Sequence, residues 1–384
     1  MGLFVFLPLV LPLTAWPVAR LAEQRLHPRT ATRLLTGVAA VMAVCSTVCL
    51  GLLMVVGTAQ LPGNPLPDAW SDPEVRAAVP HDEIAGRAAV PTLCVVALVC
   101  ARTLWRHHRV RRRAHRALAG LPTTQVAVLP DATEAYAYAL PGGRYGLDGQ
   151  RGPGGRYGSD GQLSSGGRRD PGGRRGPSRA YGRIVVTSAL LDCLEPAERR
   201  ALFAHERAHL AARHHRHLLA VQLAAQANPF LRPLRTAVAY TAERWADEEA
   251  ARAVGSRRTV ARAIGKAALV SHGAAPPPGL AALVPPGVAP PPGPAALVPP
   301  GAAPPPGLAA LAGLPAFAAP APGPVPRRVT ALLAPAPTPR HWASVFTTVG
   351  LAVWCAAAGT AVSAMSSANA AVTMLFILHA ATPL

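Results

Sequence analysis

The sequence is short of lysine, of acid, of aromatic side chains and of paired cysteines. Of its 38 Lys and Arg residues only Lys266 is lysine, so the formal charge of +19 is carried by guanidinium groups. A charge of that size would ordinarily point to nucleic acid. Much of the arginine, however, flanks apolar runs or lies in a glycine-rich stretch, and aromatics make up only 5% of the chain. An arginine face interleaved with aromatics is missing, and no nucleic-acid partner is expected. The six cysteines show neither CxxC spacing nor a framework that would staple a small secreted domain. Cys45, Cys49, Cys94, Cys100 and Cys355 fall in apolar runs, where cysteine acts as a small hydrophobe. Cys193 lies outside them, with nothing nearby to lower its pKa. The excess of Arg, Ala, Pro and Gly reads as the imprint of a GC-rich genome.

Long apolar runs are what the chain does have. The first, Leu3 to Ala19, has no basic residue before it and Arg20, Arg25, Arg29 and Arg33 after it, the reverse of a cleaved signal peptide. Leu34 to Ala59 and Ala88 to Trp105 are each near the length that crosses a bilayer, and a fourth run covers about 344–364. The stretch Leu218 to Ala227 is too short to cross and carries Gln222 and Gln226. Four spans are therefore expected. Arginine is dense after the first and third, whereas the loop between the second and third holds Asp68, Asp72, Glu74, Asp82 and Glu83. By the positive-inside rule the soluble region is cytoplasmic and both termini are extracytoplasmic. The reading divides the chain into three spans in 1–105, a soluble domain in 106–272, a linker in 273–326, a connector in 327–343, a span in 344–364 and an interfacial tail in 365–384. The tail is set apart because Met365 to Asn369 interrupts the apolar pattern.

Two low-complexity segments interrupt the soluble part. In 141–180, GGRYGLDGQ from Gly142 recurs as GGRYGSDGQ from Gly154, a composition too poor in apolar surface to offset its ordering entropy. In 273–326, Ala275, Ala289 and Ala303 each begin an APPPG repeat, which reads as a polyproline-type linker. Between them Gln125 to Leu129, Ala135 to Leu140 and Arg183 to Thr187 look like short strands. A helix should start at Pro196 and another should cover about Ala237 to Val254, ending at Gly255.

On the first of those helices stands His205-Glu206-Arg207-Ala208-His209. Residues four apart are only about 40° apart around a helix axis, so the two imidazoles can share one metal ion with Glu206 beside them as a base for an attacking water. The bland alternative is an arginine- and histidine-rich amphipathic helix, since His214, His215 and His217 follow. A catalytic zinc needs a third protein ligand and one open position. His215 stands at the spacing of HExxHxxGxxH, but Ala212 replaces the helix-breaking glycine, so the helix should continue and turn His215 about 240° from His209. Glu243 on the next helix is the better candidate, with Asp247 one turn on to orient a histidine. A solvated acidic face of Glu243, Asp247, Glu248 and Glu249 is the alternative there.

HExxH followed by Glu243-Arg-Trp-Ala-Asp247, with three spans before and one after, resembles the gluzincin membrane peptidases of the BlaR/MecR type, cousins of the HtpX-type proteases. The resemblance implies a bacterial multi-pass membrane protein with a cytoplasmic α+β zincin-like domain. It further implies one Zn2+ held by His205, His209 and Glu243, with Glu206 as catalytic base and Asp247 behind the ligands. A protein or peptide substrate, by analogy a transcriptional repressor, and the lipid bilayer are the implied partners. The chain departs from the antibiotic sensors of that group: Ala263 precedes Lys266 by three, so no Ser-x-x-Lys nucleophile exists and β-lactam sensing is not implied. A non-catalytic, zinc-stabilised signalling or scaffold protein, and an adaptor working through the two inserts, are the competing readings.

Overall fold

The computed structural model describes residues 6–59, 82–118, 125–130, 135–142, 182–271, 324–337 and 347–381. Most of the glycine-rich insert and of the proline-rich linker lies outside them. Three described helices are long and apolar enough to cross a membrane. They are α3 (Pro28–Ala59), α4 (Asp82–Ala117) and α11 (Thr348–Ala381). The N-terminal run, expected as a span, is broken: α1 (Leu7–Val10), a 3-10 turn (Leu11–Thr14) and α2 (Ala15–Arg25) follow one another. Pro8, Pro12 and Pro17 each remove a helical N–H, which accounts for the breaks. The run still lies along α3. Ala15, Ala19 and Ala22 share a core with Leu35, Val38, Ala39 and Met42, while Phe6 and Leu9 pack with Leu53 and Val56 further up. On the same side as those upper residues, Gly57 and Gly86 bring α3 and α4 together so closely that a Cβ on Gly57 would lie 2.3 Å from the Gly86 carbonyl.

The tail reading is corrected. α11 runs unbroken through Met365 to Asn369 as far as Ala381. Ser367 donates to the Ser363 carbonyl and lies 3.6 Å from Cys49 Sγ, so these small polar residues are absorbed within the helix and its packing on α3.

The expected strands form a three-stranded sheet in the order β1 (Val126–Leu129), β3 (Arg183–Thr187), β2 (Ala137–Leu140). β1 runs parallel to β3 and β2 antiparallel, which leaves β2 at an edge. Short α5 (Ser188–Asp192) leads to α6 (Pro196–Ala211). α6 begins with Pro196 in its first turn and a capping box in which Glu195 and Glu198 each accept from the other's backbone N–H. Glu198 is fully buried and meets Lys266 at 2.8 Å. Then come α7 (His214–Ala227), a 3-10 turn (Pro229–Leu231) and α8 (Arg232–Val254), which Gly255 ends at φ 72°. α9 (Arg257–Ser271) and α10 (Pro324–Leu333) close the fold.

Two expectations change here. The helix carrying His205 and His209 does not continue through Ala212: Arg213 takes φ 53°, the left-handed region, and a new helix starts at His214. The linker and connector expected around 326–327 are instead helical from Pro324, and Leu332 packs into a core with Ala201, Ala250 and Val260. The sheet-and-helix unit of residues 125–271 is also joined to the long helices by polar contacts. Thr32 donates to Thr241 at 3.0 Å, Asn228 to Ser46 at 3.0 Å and Thr103 to Gln226 at 2.8 Å.

Candidate metal centre

α6 and α8 pack side by side and turn three side chains toward one point. His205 and His209 lie one turn apart on α6, and their Nε2 atoms are 3.1 Å from each other. Glu243 comes from α8 with Oε2 3.5 Å from His205 Nε2 and Oε1 3.4 Å from His209 Nε2. These three residues can hold a metal ion. Four ligands at about 2.0–2.1 Å around a tetrahedral zinc ion stand about 3.3 Å apart, and the two imidazoles, with one carboxylate oxygen facing each of them, approach that spacing. Two nitrogens and one carboxylate also suit that ion's borderline character.

Behind the triangle stands a second layer. Asp247 Oδ1 lies 3.1 Å from His205 Nδ1, which fixes that ring and leaves Nε2 facing Glu243. Asp247 is itself gripped by Arg328 of α10, whose Nε and Nη2 donate to Oδ2 and Oδ1 at 2.8 and 2.6 Å. Arg328 Nη1 is 2.9 Å from Glu243 Oε2 as well. On the other side His214 Nδ1 meets His209 Nδ1 at 2.9 Å, and its ring packs edge-on against Trp245. His215, the alternative third ligand, is not in the cluster. The reason given from the sequence was a continuing helix; the actual cause is the turn at Arg213, which brings His214 inward instead.

Arg328 and His214 are the site residues that the sequence did not yield. His214 was seen only as part of a histidine-rich tract. A signal for Arg328 existed in Pro324 to Leu333, where a proline opens a segment with Val325, Val329, Leu332 and Leu333 at helical spacing.

The charges follow from burial and neighbours. Burial opposes protonation of His205, but Asp247 and Glu243 outweigh it and raise its pKa to about 10. Burial lowers His209 to about 4 and His214 to about 2, so both are neutral near pH 7. Burial would raise Glu243 and Asp247; Arg328 and His205 together, joined by His209 at Glu243, outweigh it and hold both carboxylates below their usual range. Glu206 differs. Burial, helped by the charge on Glu243, pushes its carboxyl up to about 7, while the charges on His205 and Arg328 and, more weakly, the Ala139 backbone N–H pull it back. A carboxyl poised there can take a proton at neutral pH.

The hydrogen-bond parity of the sheet explains the Ala139 contact. Thr187 N–H donates to the Tyr136 carbonyl, so Tyr136, Tyr138 and Leu140 face β3 and the backbone groups of Ala137 and Ala139 point off the edge. The edge of β2 thus borders Glu206.

No curated protein and no solved structure matches the chain. A family model does match, over β3 to the end of α7 with a few residues before them; it includes His205, Glu206 and His209 and stops short of Glu243. Residues 175–227 match peptidase family M48, so the stretch that carries the two histidines and Glu206 is similar to the core of a membrane-associated metallopeptidase.

Proposed function

We propose that this protein is a membrane-embedded, zinc-dependent endopeptidase of the BlaR/MecR–HtpX kind, with His205, His209 and Glu243 as metal ligands. The observation that carries the reading is the convergence of His205, His209 and Glu243 on one point, with Glu206, whose pKa lies near 7, on the same turn of α6. A bound zinc ion would act as a Lewis acid on the scissile carbonyl. The chain's own residues do the rest. Glu206 accepts the proton of the attacking water and returns it to the leaving amine, while Ala139 N–H holds its carboxylate in place. Asp247 keeps His205 in the tautomer whose Nε2 lone pair is free to ligate, and Arg328 keeps Asp247 ionised. The outward amide and carbonyl groups of Ala137 leave room for an extended peptide to add beside β2. A repressor protein as substrate rests on analogy alone.

The broken N-terminal run, packed along α3 from Leu35 to Val56, supports a fourth pass beside the three long helices. With arginine after the first and third passes, the peptidase unit lies in the cytoplasm and both termini lie outside. An engineered cysteine at Ser256 should resist impermeant reagents in intact cells, and its labelling there would reverse the orientation.

The deciding experiment for the activity is metal analysis of the detergent-purified protein and its Glu206→Gln variant, with casein hydrolysis measured alongside. Zinc in both and hydrolysis only in the wild type is the expected result. Hydrolysis retained by Glu206→Gln would overturn the assignment of the base.

A further inference from the structure

The turn between α7 and α8 meets α3 in a place where the sequence alone gave no reason to put it. Asn228 Nδ2 donates to Ser46 Oγ at 3.0 Å, and Ser46 Oγ donates to the Pro8 carbonyl at 2.8 Å. Ser46 lies in the middle of the apolar run 34–59. A span needs about 20 residues, and any such window in that run keeps Ser46 roughly six residues or more from its nearer end, about 9 Å deep at 1.5 Å per residue. Whatever surrounds the middle of α3 also surrounds this turn.

The turn is built for a medium without water. Asn228 N–H donates to the Ala224 carbonyl at 2.9 Å and Pro229 has no N–H. Phe230 N–H donates to Asn228 Oδ1 at 3.0 Å, Leu231 N–H to the Asn228 carbonyl at 3.0 Å and Arg232 N–H to the Pro229 carbonyl. Every backbone donor from Asn228 to Arg232 is therefore paired, as irregular backbone at membrane depth requires. Asn228 is buried and fully engaged, yet Phe230 beside it is 51% exposed. A water-facing turn would show the opposite, free amides and a polar tip. Arg232 is exposed and Arg235 half-buried on the way back along α8, where long side chains can reach phosphate headgroups.

We propose that the α7–α8 hairpin is re-entrant: its tip, Asn228–Leu231, enters the acyl-chain layer of the bilayer from the peptidase side and does not cross it, with Phe230 in contact with phospholipid chains. Its occupant is lipid, and the anchor sets the metal centre at the membrane surface, since Trp245, which packs on His214, also lies beneath Arg29 and Arg33 of α3.

The test uses the unaltered full-length protein in phosphatidylcholine–phosphatidylglycerol vesicles containing a phosphatidylcholine with a diazirine at the end of one acyl chain. After illumination, adducts are mapped by mass spectrometry in the tryptic peptide His217–Arg235, since Pro233 blocks cleavage after Arg232. Adducts on Phe230 should approach those on Leu98, an exposed residue of α4, and exceed those on exposed Arg258 of α9 several-fold. Labelling of Phe230 no stronger than that of Arg258 overturns the proposal, and because the readout needs neither metal nor hydrolysis it does so without touching the peptidase reading.

Discussion

Arg328 holds Asp247 through two parallel hydrogen bonds, Nε to Oδ2 at 2.8 Å and Nη2 to Oδ1 at 2.6 Å, from a helix that lies beyond the whole proline-rich segment. The fork geometry makes this one of the stronger pairings available to side chains. It also means that the metal centre is completed by a residue distant in sequence from the HExxH helix.

Removing that guanidinium leaves Asp247 and Glu243 buried without their cation. Arg328→Met should lower the stability of the metal-free protein by about 3 kcal/mol. Saturating zinc should recover part of the loss, because the ion offsets the same two carboxylates. Thermal unfolding in detergent with and without zinc checks this; an equal loss in both conditions would mean that Arg328 and the ion are not coupled.

The ligand set makes a ranking. Glu243→Ala should strip most of the zinc, and Asp247→Ala should weaken binding by about 10- to 100-fold. His215→Ala should leave both zinc content and hydrolysis close to wild type. Zinc lost with His215 and kept without Glu243 would exchange their roles.

Glu206→Gln separates base from ligands. It should keep the metal and lower hydrolysis by about 100-fold or more, measured on casein at matched zinc content.

The pH dependence of the apo protein follows from His205. Its folded pKa, about 10, is raised above the ordinary value of 6.5, so its contribution to stability is complete below pH 6.5 and disappears as pH rises toward 10. Asp247 and Glu243 are shifted the other way, and their contribution fades as pH falls below the usual carboxylate range. Zinc must displace the His205 proton, so its affinity should rise with pH over the interval in which apo stability falls. Unfolding temperatures of apo protein across pH 6–10 test the first part; a flat profile would count against a charged His205.

Arg213 sits at φ 53° with a side chain attached. Arg213→Gly should relieve that conformation and raise stability by about 1 kcal/mol. A fall in unfolding temperature would instead show that the Arg213 side chain contributes more than its backbone strain takes away.

How much of this was legible follows from the range of each signal. His205, Glu206 and His209 were readable because a helix alone brings them together, and Glu243 with Asp247 because one turn relates them. The break at Arg213 was not: Ala211, Ala212 and Arg213 favour a helix locally, and burial of His214 between His209 and Trp245 accompanies the left-handed turn there. Arg328 was hidden for another reason. In a chain so rich in arginine, one more at the end of a proline-rich stretch carries no mark of its partner. The continuity of α11 was misjudged because Ser366 and Ser367 look polar in sequence, although Ser367 bonds within its own helix.

The lone lysine has a consequence for the chemistry that can reach this protein. Apart from the histidines, all other basic side chains are guanidiniums, so acylating or carbamylating reagents find a single side-chain amine, Lys266. That amine is the partner of Glu198, the buried carboxylate that caps the helix bearing His205, and the nearest alternative cation, Arg262, is 3.7 Å away and largely exposed. Acetylation of one atom would thus unbalance the first turn of the helix that carries His205 and His209, giving the molecule a single chemical handle on that helix.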